Sequence, residues 1–140
     1  MSSERIHAYC DGGYSTAKRI GVWCYIINKP VYKVIEDTNS TMSCNIMEYL
    51  AVLNLVKSFQ SGASAVVHSD SKLIVNQLTK SWAINWQHLQ KLADEIWGII
   101  NSKNLHIAFK WVPRDDNPAG NYIEMHKFEI FGGSYRRVGR

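Results

Sequence analysis

Apolar and polar positions along the chain follow two successive patterns, the first typical of antiparallel strands and the second of alternating helices and strands. Short runs rich in β-branched and aromatic residues at 5–11, 20–28 and 31–36 predict three strands. The turn signal Asn28-Lys29-Pro30 joins the second strand to the third. The first part of the chain is therefore predicted to be an antiparallel meander.

The hydrophobic period changes near residue 45. Over residues 45–59 apolar side chains recur at three- and four-residue spacing, which predicts a helix. Further helices are predicted at 72–78 and 87–101, and strands at 65–70 and 105–112. Asn117-Pro118 opens a last helix that Gly132-Gly133 would end. This order predicts an α/β fold with a five-stranded mixed sheet, three antiparallel strands followed by βα units, and helices on both faces.

Length and composition predict a single domain over residues 1–140. The chain is 46% hydrophobic and 20% charged, and is long enough to bury a core. The absence of an apolar targeting core and of an apolar run of membrane-spanning length leads us to expect a cytoplasmic protein. Nothing in the sequence predicts a membrane partner or an obligate protein partner, so a monomer is expected.

Charge and cysteine content narrow the function classes only slightly. The formal net charge is +4, and three arginines, Arg136, Arg137 and Arg140, lie in the last five residues. This excess suits a polyanionic partner, although an excess of this size is common. The three cysteines, Cys10, Cys24 and Cys44, are odd in number and widely spaced. They predict reduced thiols and support neither a disulfide framework nor a zinc site.

The candidate chemistry lies in three separated carboxylates, Asp11, Glu48 and Asp70. Asp11 and Asp70 each end a predicted strand, the former directly before a predicted flexible turn at Gly12-Gly13, and Glu48 lies on the first helix. Ligands of α/β sheets gather beyond the carboxyl ends of the strands, and carboxylate oxygens suit Mg2+. The pattern predicts a divalent-metal site for phosphodiester chemistry. Considered alone, Asp11 before two glycines is equally well explained as ordinary turn chemistry.

Four linked motifs make the chain resemble ribonuclease H of type 1 from about Ile6 to Phe131. They occur in the family's order, at compatible spacing: Tyr9-Cys10-Asp11-Gly12-Gly13, Asn45-Ile46-Met47-Glu48, Ser69-Asp70-Ser71, and Trp111-Val112-Pro113-Arg114 followed by Asn117. The resemblance implies a ribonuclease H-like fold. It also implies an endoribonuclease that hydrolyses the RNA strand of RNA/DNA hybrids and leaves a 5′-phosphate and a 3′-hydroxyl.

The resemblance assigns metal-binding roles to four positions. Such chemistry uses two Mg2+ ions roughly 4 Å apart, with Mn2+ as a possible substitute. Asp11 would bridge both ions, and Glu48 and Asp70 would complete the ion on the leaving-group side. Residue 121 would hold the ion that activates water.

The resemblance also implies contacts with the two nucleic-acid strands. Asn45 matches an amide that contacts the RNA strand, and the backbone of Gly12 and Gly13 can approach a ligand closely. Cys44 and Lys72 occupy positions where many members carry amides that touch the minor groove. For the DNA strand, Ser43 and Asn85 match phosphate-pocket positions, and Trp82 matches an aromatic residue that lies against deoxyribose.

The chain departs from the family at residue 121, where the fourth catalytic aspartate is expected and Asn121 stands. An amide offers an oxygen ligand but no negative charge, so we expect weak or absent cleavage. The amide is either a natural loss of full activity or an engineered change, and the otherwise complete constellation favours the second. The alternative function is a hybrid-binding module with little or no turnover. A third reading is a domain detached from a reverse transcriptase, or a junction-processing nuclease of the same fold.

Overall fold

The computed structural model describes residues 5–132, which form one five-stranded mixed sheet with helices on both faces. The strands are arranged in the order β3-β2-β1-β4-β5. The elements in chain order are β1 (Ile6–Ser15), β2 (Ile20–Ile26), β3 (Pro30–Glu36), α1 (Cys44–Ser58), β4 (Ser64–Ser69), α2 (Lys72–Leu78), α3 (Gln87–Ser102), β5 (His106–Trp111), a short 3-10 turn (Arg114–Asp116), α4 (Pro118–Met125) and α5 (Lys127–Phe131).

The first strand is longer than predicted, and this corrects the expected surroundings of Asp11. β1 runs antiparallel to β2 as far as the pair Ser15 and Ile20, so Gly12-Gly13 is strand and not a flexible turn. Its parallel pairing with β4 ends earlier, at Cys10 and Ser69. Asp11 is therefore in the middle of its own strand, yet it lies directly beyond the carboxyl end of the parallel ladder. Beyond Cys10, β1 continues as a strand because β2 still pairs with it, whereas β4 has ended.

Two hydrophobic cores lie on opposite faces of the sheet. The larger packs α1, α2 and α3 against one face, with Tyr49, Leu55 and Ile96 fully buried. The smaller packs α4 and α5 against the other face, around Ile123 and Phe131. Side chains alternate between the faces along each strand, so α1 and α4 approach β1 from opposite sides. This arrangement brings one helix from each face to the strand that carries Asp11.

The predicted last helix is interrupted. α4 ends at Met125, and His126 has non-helical dihedral angles before α5 begins. A ring nitrogen of His126 lies 2.9 Å from the carbonyl oxygen of Tyr122, which also accepts a hydrogen bond from the backbone N–H of His126 at 3.1 Å. Gly132, with φ of 67°, ends α5 as predicted, because glycine adopts the left-handed conformation without steric cost. Gly133 and the three C-terminal arginines lie outside the described residues.

Trp111 and the three cysteines differ in how far they are buried. Trp111 is 38% exposed because it closes β5, an edge strand. Cys10 and Cys24 are buried free thiols and Cys44 is half-buried. Across residues 5–132 the helices are too short or too polar to cross a bilayer.

Candidate metal and nucleic-acid site

The structure brings Asp11, Glu48 and Asp70 together in one buried cluster. A carboxylate oxygen from each lies within 4.8 Å of one from each of the others. Each residue is 1% exposed. Carboxylates are seldom buried this deeply without a compensating interaction. Three negative groups converging on one point supply the hard oxygen donors that divalent cations such as Mg2+ prefer.

Close packing of α1 on β1 sets the position of Glu48. A Cβ atom added to Gly12 would lie well under 3.0 Å from the backbone nitrogen of Glu48 and from atoms of Met47. Gly12 is therefore required because the helix backbone touches the strand backbone beside Asp11. The side chain of Ser43 caps α1 by accepting a hydrogen bond from the backbone N–H of Ile46 at 3.2 Å. The cap and the glycine together fix the helix turn that carries Glu48.

Hydrogen bonds around the end of β4 hold the Asp70 segment. The hydroxyl of Ser69 accepts from the backbone N–H of Ser71 at 3.1 Å, and the hydroxyl of Ser71 caps α2. The indole N–H of Trp111 donates to the backbone carbonyl of Asp70 at 3.1 Å. The strand-to-helix connection is thus fixed from within and from the neighbouring strand.

Asn117 links α4 to the same region. Its side-chain oxygen caps α4 by accepting from the backbone N–H of Ala119, while its amide nitrogen donates to the carbonyl of Cys10 at 2.9 Å. The residue is fully buried and adjoins Asp11 through Cys10. The sequence indicated the N-cap, but not the bond to β1, which fixes the start of α4 beside the cluster.

Asn121 lies one turn into α4. Its side-chain amide nitrogen donates to the backbone carbonyl of Asp115 at 3.0 Å. A carboxylate at this position could not make that donation. The amide therefore ties α4 to the preceding 3-10 turn, a structural contact that the sequence did not reveal.

The negative charge of the cluster affects two neighbouring thiols. The pKa of Cys10 is raised by burial, by Cys24 and by the charges of Asp11 and Glu48. Burial, with the charge of Asp11, raises the pKa of Cys24 to about 12. Both thiols stay protonated at neutral pH, so they are not expected to compete with the carboxylates for a cation.

The predicted nucleic-acid residues lie around the start of α1 and the connection before α3. A groove of about 390 Å³ is lined by Asn45 and by residues of α2, the connection and α3, including Trp82, Asn85 and Trp86. The two tryptophans are 49% and 64% exposed. Asn45, expected to contact the RNA strand, therefore shares one groove with Trp82 and Asn85, expected to contact the DNA strand, and Trp86 also lines it.

The other predicted contact residues take several positions. Ser43 and Cys44 are half-buried at the start of α1, and the Cys44 thiol lies 3.3 Å from the carbonyl oxygen of Gly12. Lys72 is exposed at the start of α2. Gly12 and Gly13 are buried in the sheet, which limits the backbone surface that they can offer to a ligand.

Two successive hydrogen bonds connect Tyr49 with Gln77 and Ala83, which line the groove. The Tyr49 hydroxyl donates to the Gln77 side chain at 2.6 Å, and the Gln77 amide donates to the Ala83 carbonyl at 3.2 Å. We expect Tyr49→Phe to lower the free energy of unfolding by about 1–3 kcal/mol, because it leaves the Gln77 oxygen buried without its donor. Urea unfolding measures this loss. Tyr32→Phe, at a site that is 47% exposed, is the control and should change stability by less than about 0.5 kcal/mol.

Comparisons with known proteins agree with this fold and site. The RNase H family model matches residues 3–127. The chain is 32% identical over 85 residues to the ribonuclease H of Caldicellulosiruptor saccharolyticus, an alignment that spans 60% of this chain and 59% of that relative. It is 25% identical over 133 residues to the ribonuclease H of Francisella tularensis subsp. novicida, covering 84% of each chain.

Solved structures show the same architecture. LC11-RNase H1 in complex with an RNA/DNA hybrid superposes with a TM-score of 0.73 at 18% identity, covering 83% of this chain and 91% of that one. The N-terminal RNase H domain of a Mycobacterium tuberculosis protein gives a TM-score of 0.69 at 21% identity, covering 85% and 95%. At these identities the likeness establishes the fold alone.

Fold and site together define a nuclease-type α/β domain with a buried carboxylate cluster suited to divalent metal ions. The RNase H family model matches most of the chain, residues 3–127. The chain belongs to the RNase H family. Its predicted fold class is confirmed.

Proposed function

We propose that this chain hydrolyses the RNA strand of RNA/DNA hybrids by two-metal-ion chemistry, and that Asn121 slows the reaction. The observation that carries the proposal is the buried convergence of Asp11, Glu48 and Asp70 in a chain of the RNase H family. The reaction class is phosphodiester hydrolysis, for which such carboxylates are suited.

The donor set fits Mg2+. Three carboxylates within 4.8 Å of one another provide charge and oxygen ligands, and the neighbouring Cys10 and Cys24 thiols remain neutral. Asp11, Glu48 and Asp70 would hold the metal, with the oxygen of residue 121 as a fourth donor. When bound, a pair of such ions activates a water molecule and stabilises the leaving oxygen. The protein holds the three carboxylates in place by the close packing of α1 on Gly12 and by the hydrogen bonds around the end of β4 and the start of α4.

The groove supports a hybrid as the substrate. Asn45 lies at its edge with an amide that can read the minor groove, where the RNA strand presents its 2′-hydroxyls. On the other side, Trp82 and Asn85 offer an aromatic surface and an amide to the second strand. LC11-RNase H1, a structural neighbour, is described in complex with an RNA/DNA hybrid. The position of Asn45 and Trp82 on one groove supports the proposal that one strand passes Asn45 while the other lies against Trp82.

The amide at residue 121 favours a second candidate function, a hybrid-binding module with little turnover. Asn121 contributes no negative charge, and its amide nitrogen is engaged with the Asp115 carbonyl. A substrate can still be held by the groove, because residue 121 is not among the residues that line it. The two candidates differ only in turnover.

Cleavage of a labelled RNA/DNA hybrid distinguishes the ribonuclease from the hybrid-binding module. We expect Asn121→Asp to increase the cleavage rate at least tenfold in Mg2+, because a fourth carboxylate strengthens metal binding on the side of the attacking water. The same substitution should lower the free energy of unfolding by about 1 kcal/mol in EDTA, because the bond to Asp115 is lost. Both proteins should be assayed in Mg2+ and in Mn2+.

Asn104→Asp, an amide-to-carboxylate change at the turn before β5, is the matched control and should leave the cleavage rate unchanged. If the hybrid is bound but neither the unaltered chain nor Asn121→Asp cuts it, the binding-module function is correct. If neither protein binds the hybrid, both functions are wrong.

A further inference from the structure

The described residues contain a tryptophan that contacts both a metal-site residue and a nearby cation. The indole N–H of Trp111 donates to the Asp70 carbonyl at 3.1 Å, and the Lys72 ammonium lies 5.1 Å from the centre of the Trp111 ring. The adjacent backbone N–H of Val112 donates to the Ser69 carbonyl at 2.9 Å. The end of β5 is therefore hydrogen-bonded to the backbone of both Ser69 and Asp70.

Lys72 is placed to meet a polyanion. It is exposed at the start of α2, two residues after Asp70, and within residues 5–132 it forms no ion pair with a carboxylate. The Trp111 ring restrains the long side chain, because a cation over an aromatic face is attracted electrostatically. A strand that approaches the three buried carboxylates experiences repulsion, and a cation at their rim opposes it.

The chemistry of lysine specifies what Lys72 binds. An ammonium has three donors and no acceptor, so it cannot reproduce the paired donor and acceptor of an amide at a base edge. It is a compact point charge that suits phosphate. A lysine at this position therefore replaces the minor-groove contact expected of an amide with a contact to the backbone.

We propose that Trp111 is a positioning residue that holds Lys72 beside the carboxylate cluster, where the ammonium binds a phosphate of the strand that reaches Asp70. This inference rests on the proposed function. Trp111 has two separable roles: its N–H fixes the Asp70 backbone, and its ring places the Lys72 cation. Such supporting bonds around metal ligands commonly affect metal affinity.

The chain contains a second copy of this arrangement that serves as an internal comparison. Trp97 donates to the Leu78 carbonyl at 3.1 Å, and the Lys80 ammonium lies 4.6 Å from the Trp97 ring centre. There the tryptophan is hydrogen-bonded to the last residue of α2, at the end of the helix opposite to Asp70. Substitutions in this second unit report what the arrangement contributes to stability alone.

The experiment measures hybrid affinity at several salt concentrations in Ca2+, and Mn2+ affinity by calorimetry without nucleic acid. Lys72→Gln and Trp111→Leu both remove the positioned cation, and Trp111→Leu, which adds no amide, should weaken hybrid binding about threefold to tenfold at low salt. They should also reduce the slope of log affinity against log salt by about 0.7–0.9, the value for one lost phosphate contact. Trp111→Phe keeps a ring but loses the N–H, so it should weaken Mn2+ binding at least threefold while preserving the salt slope.

The controls separate positioning from folding. Lys57→Gln removes the same charge at the far end of α1 and should leave both affinities unchanged. Trp97→Phe should lower the melting temperature without altering Mn2+ affinity. Lys72→Arg should bind the hybrid about as tightly as the unaltered chain does, because arginine keeps the positive charge.

The outcomes distinguish this inference from the function on which it rests. If the unaltered chain binds the hybrid and Lys72→Gln or Trp111→Leu leaves the salt slope unchanged, the inference is wrong and the proposed function stands. If Trp111→Phe changes only the melting temperature, as in Trp97→Phe, the role assigned to the Trp111 N–H at Asp70 is wrong. If the unaltered chain does not bind the hybrid at any salt concentration, the proposed function fails and the inference fails with it.

Discussion

Asp11→Asn, introduced into the Asn121→Asp variant, is expected to reduce hybrid cleavage at least a thousandfold. Asp11 lies at the centre of the site, on the strand approached by α1 from one face and α4 from the other. It is 1% exposed and shares a cluster with Glu48 and Asp70 whose ligand atoms lie within 4.8 Å of one another. The amide preserves shape and removes charge, so lost metal binding and not lost packing should account for the effect. The measurement is the single-turnover rate of RNA-strand cleavage in Mg2+.

A matched substitution and a stability measurement test the cause. Asp116→Asn makes the same chemical change at an exposed residue of the 3-10 turn and should leave the rate within about twofold. In EDTA, Asp11→Asn should raise the free energy of unfolding by on the order of 1 kcal/mol, because it relieves repulsion among three carboxylates. Activity and stability would then change in opposite directions. A rate that persists in the Asp11→Asn variant would show that the cluster is not the catalytic site.

Gly12→Ala is expected to cost the folded state roughly 3 kcal/mol or more. The added methyl group would lie well under 3.0 Å from backbone atoms of Met47 and Glu48, and backbone cannot move aside as a flexible side chain can. Relief requires that α1 shift away from β1, which would also displace Glu48 from the carboxylate cluster. Urea unfolding in EDTA measures the stability, and Mn2+ calorimetry on the folded fraction measures the effect on the site.

Gly98→Ala is the control for this substitution. Gly98 lies in α3, and no atom lies within 4 Å of its added Cβ. The methyl group should therefore stabilise the protein by about 0.5–1 kcal/mol, the ordinary gain for alanine over glycine inside a helix. Equal effects of the two substitutions would contradict the close packing of α1 on β1.

The periodicity of the sequence determined the elements and their order. Short runs of β-branched and aromatic residues in the first three strands, and apolar residues at three- and four-residue spacing over α1, reflect local geometry, so the type of these elements could be predicted from the sequence. The start of α4 was equally local: Asn117 caps this helix as predicted, because capping depends only on a short side chain and the next few backbone N–H groups. The family motifs added the identity of the candidate carboxylates.

Only the tertiary structure decided what depends on contacts between distant elements. Whether Gly12-Gly13 was turn or strand depended on β2, and the role of Gly12 depended on the backbone of α1. The exposure of Trp111 and its bond to Asp70 likewise depend on the arrangement of the strands in the sheet. A sequence pattern records how one side chain alternates with the next, whereas the approach of two backbones and the partner of a buried hydrogen bond are set by packing across the sheet.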